Sequence, residues 1–166
     1  MDRTLDADRI NEQIWCGATL DGEDFPLLGT LGINCVINLE TCLRYSPQSL
    51  ASTGIGFVSI PVPDLDQPLS EKFIDAGVAA IEDVVSGGGN VYVHCTAGWQ
   101  RSPALVACYL VYAGLPAERA LALVKQRRPV ARFYSSHIAS AMRYEARLRK
   151  NWQAMKTAGP IGLERG

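Results

Sequence analysis

The chain reads as a single α/β domain with a central, mostly parallel sheet and helices on both faces. Three observations predict this. Short apolar runs of strand length alternate with longer stretches whose apolar residues recur at helical spacing. Gly and Pro punctuate the junctions. The 166 residues suffice for one sizeable core, without internal repeat or linker.

Gln13 to Ala18 predicts a first strand, and Asp21 to Leu31 a short helix. Asp21 is its cap, Glu23 and Asp24 suit its first turn, and Gly32 suits its end. Asn34 to Leu39 is a second strand, followed by a polar stretch from Glu40 to Thr53. Gly56 to Ile60 is a third, and Pro61 and Pro63 force an extended loop after it. From Ser70, Phe73, Ile74, Val78, Ile81, Val84 and Val85 mark a helix that the run Gly87 to Gly89 ends. Asn90 to His94 is a strand leading into a loop, then a helix from Ser102 to Ala113 with Pro103 in its first turn. Its apolar residues Leu105, Val106, Tyr109, Leu110 and Val111 cover most of its circumference, so it is expected to be buried. Pro116 starts a helix ending in Lys125, Arg127 and Arg128, and Pro129 stops it. A last helix is predicted from about Ser135 to Arg149. The domain is expected over residues 1–150, with a frayed tail over 151–166 that includes Gly159 and Pro160.

Composition narrows the function classes. Hydrophobic residues make up 48% and charged residues 20%, an ordinary globular balance. A net charge of -1 lacks the basic excess that phosphate-backbone binding uses, so no nucleic-acid partner is expected. No run is long and apolar enough for a bilayer, and the first ten residues have no secretory hydrophobic region, so no membrane partner is expected. The five cysteines, 16, 35, 42, 95 and 108, form no CxxC pair and no zinc spacing. A chain of this length needs no disulfide staples, which points to reduced thiols in the cytoplasm. Cys16, Cys35, Cys42 and Cys108 read as packing residues. Cys95 does not.

In open parallel sheets ligands bind outside the carboxyl ends of the strands, and Cys95 stands there, after Asn90–His94. The segment His94-Cys95-Thr96-Ala97-Gly98-Trp99-Gln100-Arg101-Ser102 separates cysteine from arginine by five residues. Strand, loop and helix in that order let successive backbone N–H groups turn inward as an anion nest, and the helix N-terminus adds positive charge. Small Ala97 and Gly98 permit the turn. Thr96, Ala97, Gly98, Trp99 and Gln100 therefore form a candidate phosphate cradle, and Arg101 supplies two parallel N–H donors. Helix N-termini and nearby cations favour a cysteine's thiolate, which makes Cys95 the candidate nucleophile. Preorganised donors supply most of the catalysis in phosphoryl transfer. No metal or cofactor is called for.

This segment resembles the HCxxGxxR(S/T) signature of the cysteine phosphatases, and the chain resembles their small, atypical dual-specificity branch over roughly residues 9 to 150. The runs INLE, IPVPD, SPALVACYL and RRP agree with that branch. The resemblance implies a three-layer α/β sandwich and hydrolysis of phosphomonoesters through a phosphocysteine. In the family an aspartate on a loop about thirty residues before the cysteine protonates the leaving group. Asp64 and Asp66 both qualify, and Asp64, following Pro63, matches the family position; Asp66 reads as a solvated loop carboxylate. Ser102 resembles the hydroxyl that assists departure of the cysteine thiolate, and as a helix-start serine it also suits backbone capping. His94 matches the family residue that orients the loop. His137 reads as an ordinary helical histidine.

The implied substrate is a phosphorylated protein, carrying phosphotyrosine and also phosphoserine or phosphothreonine. Phosphoinositide-directed relatives carry basic residues inside the loop, and none stands between Cys95 and Arg101. Cys95, Ala97, Gly98 and Arg101 also match the CxAGxGR loop of laforin-like glucan phosphatases, but Trp99 and Gln100 depart from it. A phosphorylated glycan, lipid or small molecule is thus the alternative substrate, and a non-catalytic phosphate-binding module the alternative function. Trp99 either stacks on a substrate ring or packs under a helix. Arg44 and Tyr45 are expected at the rim. Cys42 is either an ordinary thiol or a partner that traps oxidised Cys95 as a disulfide. A monomer is expected.

Overall fold

The structure is a computed structural model and describes residues 3–157. Its five-stranded sheet has the order β1-β2-β5-β3-β4: β1 Ala7–Arg9, β2 Ile14–Gly17, β3 Ile33–Asn38, β4 Gly56–Ser59 and β5 Asn90–His94. All neighbouring pairs are parallel except the edge pair β1–β2. Six α-helices are described: α1 Phe25–Thr30, α2 Pro47–Ala51, α3 Glu71–Ser86, α4 Arg101–Tyr112, α5 Ala117–Arg127 and α6 Ser135–Thr157.

Side-chain alternation along the strands divides the core between the two faces. Ile14, Cys16, Val91 and Val93 point to the cluster shared with α3, α4, α5 and α6. Trp15, Val36 and Tyr92 point to the smaller cluster with Phe25, Leu28 and Leu50 of α1 and α2. β5 is therefore central in the sheet and enclosed on both sides. Helix α4, buried from Arg101 to Val111, lies against it as expected. A fully packed strand and helix thus flank the loop at 95–100, and their positions determine its ends.

The caps read from sequence are present. Asp21 accepts from Glu23 N and forms a reciprocal pair with Asp24, while Ser70 accepts from Phe73 N at the head of α3. Asp21, however, caps a 3-10 turn over Gly22–Asp24 that precedes α1. β1 lies where no element is predicted, α2 lies within the polar stretch from Glu40 to Thr53, and the helix expected to end near Arg149 continues to Thr157. Gly159 and Pro160 lie outside the described residues. Cys16, Cys35 and Cys108 are buried as expected, but Cys42 is exposed, which corrects its reading as a packing residue. Among the described residues no helix is long and apolar enough to cross a membrane.

Candidate active site

The loop from Cys95 to Gln100 presents its carbonyls outward. Thr96 O accepts from Thr19 N at 3.1 Å, Trp99 O from Arg132 N at 2.7 Å and Gln100 O from Ala104 N at 3.0 Å. Arg128 Nε donates to Gly98 O at 2.7 Å, and its Nη2 to Ala97 O at 3.4 Å. With five successive carbonyls so engaged, the intervening amides face the hollow. No amide from Thr96 to Gln100 donates to a backbone acceptor among the described residues. This is the nest geometry that holds anions.

Gly98 is required twice over. Its φ is +67°, and a Cβ there would stand 2.5 Å from the Gly17 carbonyl carbon and 2.6 Å from Arg128 Nη2.

Cys95, 2% exposed, lies below the hollow with Sγ 3.3 Å from Ser102 Oγ. Ser102 is fully buried and its hydroxyl also stands 3.3 Å from Gly17 O. Arg101 is buried as the first residue of α4. Its Nη1 donates to Val62 O at 3.1 Å and Leu39 O at 3.4 Å. Its Nη2 donates to Asp64 Oδ2 and Thr96 Oγ1, each at 2.9 Å. Nε is buried with no partner among the described residues, a donor that normally carries one. Asp66 instead accepts from Ser136 Oγ at 2.5 Å. Of the two loop carboxylates, the structure brings only Asp64 to Arg101.

Behind the loop, His94 Nε2 shares a 2.7 Å hydrogen bond with Tyr45 Oη, and Nδ1 stands 3.3 Å from Glu40 Oε1. That second approach is a close contact and not a directed bond, since neither atom has a well-aligned partner. Thr96 Oγ1 donates to Glu40 Oε2 at 3.0 Å. Burial pushes the Glu40 carboxyl up, but His94, Thr19 and Thr96 outweigh it and bring it down to about 2. A carboxylate is thus fixed beneath the loop. Burial pushes the neighbouring Cys16 thiol up to about 12 despite opposing contributions from Ser102 and Arg128, so it stays a neutral thiol.

His94 and the segment Thr96–Gln100 therefore surround Cys95 as the sequence arranges them. Trp99 is 38% exposed and carries the Arg132 guanidinium 5.1 Å from its ring centre. Tyr45 is not a rim residue: it packs edge-on against Phe25 and Phe57 and supports His94, whereas Arg44 is exposed. Three contributors were not legible. Arg128 reads as a helix-end cation but is 1% exposed and ties the loop to Asp6 and Asp8 at 3.0 and 2.8 Å. Glu40 reads as the start of a polar stretch. His137 reads as an ordinary helical residue but is 1% exposed and faces the loop that bears Asp64. For the last two the only available signal was a polar residue beside an apolar run.

A cysteine at the end of a central parallel strand, a ring of inward amides and an arginine opening the next helix define the Cys-x5-Arg class of anion-cradling proteins. The chain belongs to the dual specificity phosphatase catalytic domain family, whose model matches residues 14–147. It is 32% identical over 129 residues to mouse dual specificity phosphatase 28, covering 76% of this chain and 78% of the relative. It is 37% identical over 125 residues to the Arabidopsis thaliana phosphatidylglycerophosphate phosphatase PTPMT1, covering 74% of this chain and 37% of that one. Mouse laforin is 28% identical over 125 residues, covering 63% of this chain. The chain thus spans well under half the length of the last two relatives, 37% and 38%. The solved structure of PTPMT1 with PI(5)P has the same fold, with a TM-score of 0.82 at 19% identity, covering 89% of this chain and 99% of that one.

Proposed function

We propose that the protein hydrolyses phosphomonoesters through a phosphocysteine intermediate, and that its substrate is a phosphorylated protein. The observation that carries this reading is the loop itself: amides from Thr96 to Gln100 without backbone acceptors and an unpartnered Arg101 Nε, in the loop that opens on Cys95. These donors match the equatorial oxygens of a transferring phosphoryl group, where preorganised hydrogen bonds lower the barrier.

In the first step the Cys95 thiolate attacks phosphorus, the ester P–O bond breaks, and Asp64 protonates the departing oxygen. In the second, water attacks phosphorus, Asp64 takes its proton, and the Cys95 thiolate leaves with Ser102 Oγ as its hydrogen-bond donor. Asp64 holds Arg101 Nη2 in the free protein. An incoming phosphate needs the same guanidinium, so substrate displaces Asp64 from Arg101 toward the leaving group. His94 supports the loop, and no cofactor takes part.

Substrate choice rests on the mouth. Trp99, 38% exposed, can pack against a phenyl ring and supports phosphotyrosine. A phospholipid head group is the second reading, supported by the relationship to the Arabidopsis phosphatidylglycerophosphate phosphatase and by exposed Arg132 over Trp99. The absence of a cation between Cys95 and Arg101 counts against a head group with extra phosphates.

Two assays test these statements. p-Nitrophenyl phosphate should be hydrolysed in EDTA by the wild type and not by Cys95→Ser; equal turnover by the variant refutes the nucleophile. Phosphotyrosine peptides, phosphatidylglycerophosphate and phosphoglucan offered to the wild type should rank in that order of kcat/KM. A lipid in first place establishes the second reading.

A further inference from the structure

The segment Pro61–Pro68, which carries Asp64, has no fully buried residue, so few apolar contacts hold it. Apart from the backbone bond of Val62 N to Leu39 O at 3.1 Å, it is fastened at two places. On one side Arg101 donates to Val62 O and Asp64. On the other, the first two turns of α6 meet it in register. Ser136 Oγ donates to Asp66 at 2.5 Å, Leu69 N donates to Ser140 Oγ at 3.0 Å, and the buried His137 follows Ser136 on the same turn. The His137 ring is fully enclosed. It is 1% exposed and packed edge-on against Tyr134 with centroids 5.0 Å apart.

We infer that Ser136 and His137 are positioning residues that seat the Asp64 loop, so that Asp64 reaches the leaving group once substrate takes Arg101 from it. The inference rests on the assignment of Asp64 as general acid. The two fastenings behave differently during turnover. The Asp64 bond to Arg101 is surrendered to the phosphate, because both N–H groups of Nη2 are already taken by Asp64 and Thr96 and the phosphate needs one of them. The α6 fastening touches neither phosphate nor Arg101, so it persists and becomes the fixed point about which Asp64 moves.

The state of His137 suits this role. Burial lowers its pKa and Arg101 opposes its protonation, while Asp66, Asp64 and the Leu65 backbone pull the other way; the net shift is downward. A neutral imidazole has a single N–H, and Nδ1 is buried with no partner among the described residues. The one donor therefore belongs on Nε2, the ring nitrogen that would hold the loop.

Leaving-group dependence separates this role from a merely structural one. Phenyl phosphate needs protonation of its leaving oxygen far more than p-nitrophenyl phosphate does. General acids contribute about 10²–10⁴-fold and small misplacements cost up to about 10²-fold. His137→Phe, which keeps the ring volume, should lower kcat for phenyl phosphate about tenfold and for p-nitrophenyl phosphate less than about twofold. His137→Gln, which keeps an N–H donor, should recover most of the loss. Ser136→Ala, at a half-buried site, should shift the same ratio and carries the test if His137→Phe does not fold. Added to Asp64→Asn, neither change should lower kcat further. Equal losses on both substrates, or losses that multiply with Asp64→Asn, overturn the inference while leaving Asp64 in place. An Asp64→Asn variant whose two substrates fall equally overturns the acid assignment and the inference with it.

Discussion

Gly98 has the narrowest tolerance of any residue in the cradle. An added methyl would meet the Gly17 carbonyl and Arg128 Nη2, and a side chain at φ +67° is strained in any case. Gly98→Ala should therefore turn the neighbouring amides away, weakening competitive inhibition by vanadate at least about tenfold while the circular dichroism stays native. Unchanged inhibition would mean that the amides are not the phosphate ligands. Glu40 allows a prediction about acid stability. Its folded carboxyl titrates at about 2, below its ordinary 4.5. Below that ordinary value the unfolded chain takes up the proton first, so stability is lost as pH falls from about 4.5 towards 2. Glu40→Gln has no such proton to take up. Its melting temperature should fall less than that of the wild type across this window, and parallel melting curves would contradict the account.

At the scale of elements, β1 shows what sequence could not reveal. It has three residues, Ala7, Asp8 and Arg9, no apolar alternation, and a place at the sheet edge, so no periodic signal exists to read. Its consequence lies in space: Asp6 and Asp8 hold Arg128, which holds Gly98 and Ala97. A contact spanning 120 residues leaves no local trace. α2 was missed for a related reason, since only Leu50 of its five residues is buried, although Ser46 before Pro47 is a readable start. By contrast β5, α3 and α4 were legible because they carry long apolar patterns bounded by glycine or proline. The loop between β5 and α4 was legible because cysteine, glycine and arginine occupy positions their chemistry demands. The Asp6→Asn, Asp8→Asn double variant leaves the buried Arg128 charge without counter-ions. Both carboxylates are partly exposed, so the cost in stability should be modest, about 1–2 kcal/mol. The loss in kcat should be larger in proportion, because the cradle itself is loosened. A melting temperature that falls while kcat is unchanged would separate β1 from the site.

The whole molecule places a rigid centre beneath a weakly held rim. β5 is enclosed by clusters on both faces and α4 is buried along nearly its whole length, whereas Pro61–Pro68 lies exposed and tethered by polar contacts. Exchange free energies span from near zero in such loops to the global value in core strands. Hydrogen exchange should therefore find the β5 amides opening only with global unfolding and those of the 61–68 loop exchanging early. The cradle is the informative exception. Its amides lie between two of the best-packed elements, yet from Thr96 to Gln100 they have no backbone acceptor among the described residues, so they should exchange fast in the free protein. Tungstate supplies the missing acceptors and should protect them, leaving β5 unchanged because its bonds are already made. Protection spread evenly over the domain would indicate general stabilisation on binding, and amides already slow without anion would mean that the hollow is closed before substrate arrives.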